Sequence, residues 1–202
     1  ARAPLDQILM TEVLDQLGMH DTGFDAPAGR QIATFYELDA QGAAVPLPDG
    51  ACGPTASPTS LQKRSLEPTA GLFSSVGDLA KLGECLANRG LCRGRRLLSE
   101  RAAEMLCSNQ LPGGKRIGEA GLAPFPFPNA YFGLGVIVCP GDHTSTSLAP
   151  AGAVLWAAQG GTFVYADPHK GLSLAFAMQV RAHPSTLQLI DRAVSALHGA
   201  CP

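Results

Sequence analysis

The chain has 202 residues, of which 46% are hydrophobic and 16% charged, and its 15 basic and 17 acidic side chains give a net charge of −2. This composition is sufficient for a core of domain size. It is not typical of a nucleic-acid-binding protein, and no apolar run reaches the roughly 18 residues that a membrane-spanning helix requires. Four arginines are interpreted as a solvated helix boundary: Arg93, Arg95, Arg96 and Arg101.

The six cysteines and five histidines show no spacing typical of a metal site, and no C-x-x-C pair occurs. We therefore expect no metal, no cofactor and mostly free, buried thiols, which favour a reducing compartment. A local bridge between Cys85 and Cys92 is the alternative for a secreted protein. The chain begins at Ala1 without a signal-peptide pattern, which predicts a processed product or a piece of a longer protein.

The first predicted element is a helix that runs to Leu17, since apolar residues recur at helical spacing between Pro4 and Gly18. Residues 21–24 predict a turn. Residues 25–70 are rich in Pro, Gly, Ala and Ser, and they predict a long loop with one weak strand at 32–38.

Two serines predict the starts of the next two helices. Ser75 stands three residues before Asp78, a spacing close to that of a capping box, and an apolar face follows as far as Gly90. Ser99 precedes a second helix, in which Glu100 occupies the first turn.

The C-terminal third has the pattern of an antiparallel meander, with strands predicted at 131–139, 153–159, 162–166 and 172–180. The paired glycines 160 and 161 permit either a tight hairpin or a close backbone approach to a ligand. A closing helix is predicted from Pro184. Helices followed by such a meander predict an α+β fold.

Five segments resemble, in order, motifs of one enzyme family. LGMHDTGF is similar to "PLGM-x-D-T-x-F", AGLFSSVGDLA to "GGL-x-ST-x-x-DLA", and YFGLGV to "YGLGF". WAAQGGTFVYADP, with a later Gln179, is similar to "WGGAAGT-x-F-W-x-DP…Q", and residues 97–112 resemble "LLS…QLP". The family is that of the serine β-lactamase-related proteins: class C-type β-lactamases, family VIII esterases, penicillin-binding-protein-like hydrolases and related acyltransferases.

The resemblance implies the C-terminal part of a β-lactamase/transpeptidase-like fold. Residues 1–202 would form one incomplete domain, with a helical and loop section at 1–130 and antiparallel strands plus a terminal helix at 131–202. The strands that would pair with residues 172–180 are missing, so a long apolar edge would remain unpaired. We therefore expect an N-terminal segment or a partner chain to cover residues 172–180.

The family performs acyl transfer with three motifs: Ser-x-x-Lys, Tyr-x-Asn, and a strand motif Lys/His/Trp-x-Gly beside the oxyanion donor. All three must converge, because the serine is a poor nucleophile until a base takes its proton. A formal Ser60-x-x-Lys63 lies in the Pro-rich loop, away from any apolar helix, and we interpret it as coincidence. None of the three tyrosines begins a Tyr-x-Asn: Tyr36, Tyr131 and Tyr165. Both motifs are therefore expected outside this chain.

An ungapped alignment places Trp156-Ala157-Ala158 on the family's Trp-Gly-Gly. This implies that Trp156 is a pocket wall, that Ala158 adjoins the pocket and that the Gln159 N–H is the oxyanion donor. The same resemblance adds the loop before the second helix to the pocket, through Gly71, Phe73 and Ser74. A shifted alignment on 159–161 would restore the glycines, and a packed strand with a core tryptophan is the other interpretation.

Two functions follow from this resemblance. In the first, the chain is the C-terminal segment of a serine hydrolase or acyltransferase acting on an ester or amide, and it is inactive alone. In the second, the fold has lost its chemistry and acts as a scaffold or interaction subunit of a larger assembly. The alanines at 157 and 158 favour the second.

Overall fold

The computed structural model describes residues 3–25, 31–47, 71–121, 127–142, 149–158, 160–181 and 184–200. It has the mixed helix-and-sheet architecture that the sequence predicts. Its α-helices are α1 (Leu5–Leu9), α2 (Asp15–Leu17), α3 (Val76–Ala87), α4 (Glu100–Leu106) and α5 (Pro184–Ala200). Its strands are β1 (Tyr36–Leu38), β2 (Ala44–Pro46), β3 (Leu91–Cys92), β4 (Arg95–Arg96), β5 (Tyr131–Phe132), β6 (Ile137–Val138), β7 (Val154–Ala157), β8 (Phe163–Asp167) and β9 (Leu172–Phe176).

The main sheet is a five-stranded antiparallel meander in the order β5-β6-β7-β8-β9. Its register places Trp156 opposite Val164, and Val164 opposite Ala175. Side chains alternate between the faces of a strand, so these three residues form one row across β7, β8 and β9. The predicted meander is confirmed.

Helices cover both faces of this sheet. On one face, Ile190 and Val194 of α5 pack in a core with Leu155, Phe163 and Tyr165. On the other face, Ala87 of α3 packs with residues of β6, β7 and β8: Val138, Val154 and Ala166. Apolar residues on both faces explain why β7 and β8 have nearly continuous apolar runs.

The direction of α3 across the sheet is set by close contacts. A Cβ on Gly83 would stand 3.3 Å from Val164 Cγ1 and 3.2 Å from Ser173 Cβ, so mid-helix lies directly on β8 and β9. Further along, Arg89 Nε donates to Pro168 O at 3.4 Å, in the turn that follows β8. Since Ala87 packs with β6, β7 and β8 and Gly83 lies over β8 and β9, the helix runs toward β9 as it is followed back to its N-terminal end.

The helices begin and end at the residues that the sequence predicts. Ser75 Oγ accepts from Asp78 N at 3.2 Å, and Ser99 Oγ accepts from Ala102 N at 3.1 Å. Gly18, with φ of 66°, ends the first helical run, in which a π-helical stretch, Met10–Leu14, joins α1 to α2. The helix predicted from Pro184 is α5.

Two short hairpins replace simpler predicted elements. The single strand predicted at 131–139 is wrong: β5 and β6 pair with each other, and Gly133 N donates to Val136 O at 2.8 Å in the turn between them. A Cβ on Gly133 would stand 2.1 Å from Leu106 O, so the chain turns where only glycine fits against α4. The predicted arginine boundary is exposed, yet Arg95 and Arg96 form β4, paired with β3.

The weak strand predicted at 32–38 is shorter than expected and has a partner. β1 pairs with β2 around a turn in which Asp39 Oδ1 accepts from Gln41 N and Ala43 N, at 2.9 and 2.8 Å. The predicted loop therefore contains a hairpin. The part of that loop at 48–70 lies outside the described residues.

A buried ion pair connects the first helical run to α3. The Asp78 side chain is 3% exposed, and its Oδ1 lies 2.7 Å from Lys81 Nζ. Its Oδ2 accepts from Asp21 N and Thr22 Oγ1, both at 2.8 Å. Lys81 Nζ also donates to Gly18 O. Every polar atom of this carboxylate is thus bonded, as burial of a charge requires.

These hydrogen bonds favour the ionised form of the Asp78 carboxyl group. Burial would raise the pKa of its carboxyl, but hydrogen bonds from Lys81, Thr22 and the Asp21 N–H hold that pKa below the ordinary value of 3.8. A depressed pKa contributes stability that is present above the ordinary carboxyl range and is lost as the pH falls through the folded-state pKa.

Asp78→Asn is expected to lower the free energy of unfolding by about 3 kcal/mol, because it leaves the Lys81 ammonium partly buried without its anion. We expect urea unfolding at pH 7 to show this loss. The difference between the native chain and the variant should begin to narrow near the ordinary carboxyl pKa of 3.8 and should close only below the lower folded-state pKa of Asp78, where protonation abolishes the same pair. The matched control is Asp15→Asn, at an exposed site. A variant within 0.5 kcal/mol of that control (about the spread of surface substitutions) would contradict the assignment.

Candidate functional site

The loop before α3 is fixed in place by the first helical run. Phe73 exchanges backbone hydrogen bonds with Gly23, at 3.1 and 2.8 Å. The Ser74 and Thr22 hydroxyls lie 2.8 Å apart, and Thr22 in turn bonds to Asp78. Gly71, with φ of 96°, is exposed at the start of this loop. Three predicted site residues thus lie together at the N-terminal end of α3: Gly71, Phe73 and Ser74.

Trp156 is not a core residue. Its neighbours Val154 and Leu155 are each 1% exposed, whereas Trp156 is 43% exposed. Its ring meets Phe132 edge-on, with the centroids 6.2 Å apart. Trp156 pairs with Val164, whose side chain points at α3, so the indole lies on the α3 face of the sheet. The core-tryptophan interpretation is therefore wrong for this strand.

Apolar side chains are exposed at the start of α3 and on β7. Val76 precedes Gly83 by seven residues, nearly two full turns and about 10 Å, so both lie on one side of α3. Yet Val76 is 49% exposed, and Leu72 just before it is 51% exposed. Gly83 itself lies over β8 and β9, so α3 leaves Trp156 on β7 uncovered.

The glycine pair after β7 forms a hairpin turn. Ala158 N donates to Thr162 O at 2.8 Å, and Gly161 N donates to Ala158 O at 2.9 Å. A Cβ on Gly161 would stand 2.3 Å from Met178 Cε, and one on Gly160 would stand 2.8 Å from Gln179 Oε1. A side chain at either position would therefore have to displace the Met178 or Gln179 side chain.

The structure describes some of the remaining predicted site positions and not others. Ala158 is exposed at the turn. Ala157 packs against the core on the α5 face, so its methyl group lies on the face opposite Trp156. Gln159, proposed as the oxyanion donor, lies outside the described residues, as do Ser60 and Lys63.

Metal and thiol chemistry find no support in the described ranges. No group of three or more His, Cys, Asp or Glu side chains there is arranged to hold a metal ion. Burial raises the pKa of the Cys85 and Cys107 thiols to about 11, so neither is an activated nucleophile. Within the same ranges, no helix is long and apolar enough to cross a membrane.

Sequence reasoning missed a buried polar cluster on the opposite face. The Tyr165 hydroxyl lies 2.7 Å from His198 Nε2, and Asp167 Oδ1 accepts from His169 N at 2.8 Å. Burial and the nearby Asp167 raise the pKa of Tyr165. The cluster joins the last turns of α5 to β8, on the face of the sheet opposite Trp156. The only sequence signal was the Asp-Pro turn after β8, and His198 lies 31 residues beyond Asp167.

The comparisons with known proteins agree with this geometry. A model of the Beta-lactamase family matches residues 1–197. The fold is similar to simvastatin synthase (LovD) from Aspergillus terreus, with a TM-score of 0.69 and 18% identity over 92% of this chain and 48% of that one. EstCE1, a hydrolase with promiscuous acyltransferase activity, has a TM-score of 0.72 and 21% identity over 94% and 50% of the two chains.

A penicillin-binding protein homologue from Caulobacter crescentus has a TM-score of 0.64 and 21% identity, over 95% of this chain and 52% of its own. The chain thus spans about half the length of these solved structures. No curated protein matches its sequence. At such identities the structures show the fold alone, but the family model covers nearly the whole chain. The chain belongs to the β-lactamase family.

Proposed function

We propose that this chain forms the sheet side of a serine acyl-transfer site, in a hydrolase or acyltransferase that acts on an ester or amide. The observation that carries the proposal is the position of Trp156. The indole stands 43% exposed on the α3 face of the sheet. A purely structural tryptophan on this strand would be buried, as Leu155 is.

The chemistry requires a nucleophile, a base and an oxyanion donor around one acyl carbon. In this proposal the chain supplies the pocket wall through Trp156, the supporting loop 71–75 and the backbone that follows Ala158. Ser-x-x-Lys and Tyr-x-Asn belong to residues that are not in this chain. Among the similar folds, EstCE1 is a hydrolase with promiscuous acyltransferase activity, which supports ester acyl transfer as the reaction class.

The second candidate is an inactive scaffold. It is favoured by alanine at 157 and 158, where the family has glycines. Ala157 is weaker evidence for the scaffold than its position in the sequence suggests, because it packs on the other face of the sheet. Ala158 remains a methyl group at the turn that follows β7, and its N–H is already bonded to Thr162 O.

The proposal is tested on the protein that carries this chain together with the residues encoded before Ala1. We expect a fluorophosphonate to label one serine, located by peptide mass spectrometry in the preceding segment. Trp156→Ala should slow labelling about tenfold, equivalent to about 1.4 kcal/mol, by removing the pocket wall.

Leu91→Ala is the matched control, because Leu91 is an exposed apolar residue beyond the C-terminal end of α3. It should label at the native rate. A folded protein that takes no label would favour the scaffold. If both substitutions slow labelling equally, Trp156 is not part of the site.

We further propose that a strand from the preceding segment, or from a partner chain, pairs with the outer edge of β9. Part of the edge predicted at 172–180 is covered from within: Tyr36 N donates to Gln179 O, and Arg181 N donates to Tyr36 O, both at 2.7 Å. The covering strand is therefore needed only along β9 itself. There all five residues are partly exposed, and β8 is the one strand that pairs with them among the described residues.

Amide hydrogen exchange tests this pairing. In the 202-residue chain alone, the β9 amides that do not bond to β8 should exchange quickly. In the longer protein their protection should rise at least about tenfold, since each would gain an inter-strand bond. The amides of β8, which is paired on both sides, serve as the reference in both samples. Unchanged β9 protection in the longer protein would rule out the covering strand.

A further inference from the structure

We propose that Thr162 is a positioning residue, which fixes the turn after β7 against residues 178–180. This turn carries the backbone that follows Ala158, which the proposed acyl-transfer site uses. The inference rests on the proposed function for its effect on the reaction, whereas the contacts that carry it lie within this chain.

The Thr162 hydroxyl makes a bond just outside the ladder of β8 and β9. That ladder starts at Phe163, the first residue of β8. One residue earlier, Thr162 Oγ1 donates to Met178 O at 3.1 Å, and Val180 N donates to Gly160 O, also at 3.1 Å. The turn is therefore joined to the segment after β9 by a side-chain bond and by a main-chain bond.

The glycines of the turn pack closely on side chains from two other parts of the chain. A Cβ on Gly160 would stand 3.0 Å from Phe35 Cε2, and one on Gly161 would stand 2.3 Å from Met178 Cε. Phe35 is 8% exposed, so this contact lies in the interior. The two side chains therefore limit how far the turn can move toward residues 178–180.

The β1–β2 hairpin holds the same segment along its other edge. Tyr36 N donates to Gln179 O, and Arg181 N donates to Tyr36 O, both at 2.7 Å. Arg181 Nη1 also lies 3.5 Å from Glu37 Oε2. Backbone groups of successive residues in an extended segment point to opposite edges, so these bonds do not compete with the one from Val180 N. The segment that accepts the Thr162 bond is thus itself fixed to the hairpin.

A fixed turn matters for acyl transfer because an oxyanion is stabilised by donors whose positions are set before the reaction. A misplacement of about 1 Å can cost roughly 10²-fold in rate. Loss of the Thr162 bond should therefore lower kcat and leave KM nearly unchanged, since it weakens the interaction with the transition state and not the binding of the ester.

The test measures hydrolysis of p-nitrophenyl acetate by the longer protein. Thr162→Val keeps the shape of the side chain without its hydroxyl, and we expect kcat to fall about tenfold while KM stays within about twofold. Thr162→Ser keeps the hydroxyl and should retain at least about half of the native kcat. Thr11→Val is the matched control, because Thr11 Oγ1 also donates to a backbone carbonyl, that of Gln7, at 2.9 Å and at an exposed site. It should have the native kcat.

Amide hydrogen exchange in the same protein shows whether the turn has loosened. In Thr162→Val, the amide of Gly161, which bonds within the turn, and that of Val180, which bonds to it, should exchange at least about tenfold faster. The amides of β6, which is paired on both sides, serve as the reference and should keep the native rate, which shows that the variant is folded.

The inference is overturned if Gly161 and Val180 exchange at the native rate in Thr162→Val, if that variant keeps the native kcat, or if Thr162→Ser is equally slow. If the longer protein hydrolyses no ester while Thr162→Val still loosens the turn, the proposed reaction alone is rejected. Hydrolysis by a protein whose turn amides do not respond would reject the positioning role alone.

Discussion

The arrangement of the site depends on the ion pair between Asp78 and Lys81. It lies where the first helical run meets α3, and it also accounts for the turn at residues 21–24, since Asp21 N and Thr22 Oγ1 both donate to the carboxylate. Two of the family-like segments, 17–24 and 70–80, are thus two sides of one contact. A contact of this kind orients α3, because a shift of either segment would break the bonds from Asp21 N and Thr22 Oγ1 to the buried Asp78 carboxylate and the bond from Lys81 Nζ to Gly18 O.

The orientation of α3 then determines which part of the sheet the helix covers. Gly83 allows the helix to lie directly on Val164 and Ser173. Trp156, one strand over from Val164, is left exposed on the same face. A bulkier residue at 83 would lift the helix from the sheet. The exposure of Trp156 is in this sense a consequence of helix packing and not of β7 alone.

Local signals in the sequence were sufficient for much of the fold. Ser75 and Ser99 cap helices as predicted, Gly18 ends one, and the apolar runs of β7, β8 and β9 form the expected meander. The family-like segments also placed Trp156 on a strand. In each case the residues that predict an element lie within it or only a few residues from it.

Long-range contacts could not be predicted in the same way. The bond from Asp21 to Asp78 joins residues 57 positions apart, and a single sequence carries no sign of that distance. The hairpin turn at Gly133 depends on a carbonyl of α4, and the bonds of β1 to residues 179–181 depend on folding of the intervening chain. The exposure of Trp156 likewise depends on where α3 lies, so the structure was needed to show that Trp156 is not a core residue.

The central claim is that Trp156 faces the reacting acyl group. Its most direct test is a crystal structure of the longer protein after reaction with a fluorophosphonate that bears an alkyl chain. We predict that the alkyl chain lies against the α3 face of β7, within about 4 Å of the Trp156 ring. An alkyl chain bound elsewhere, with Trp156 covered by protein, would contradict the account.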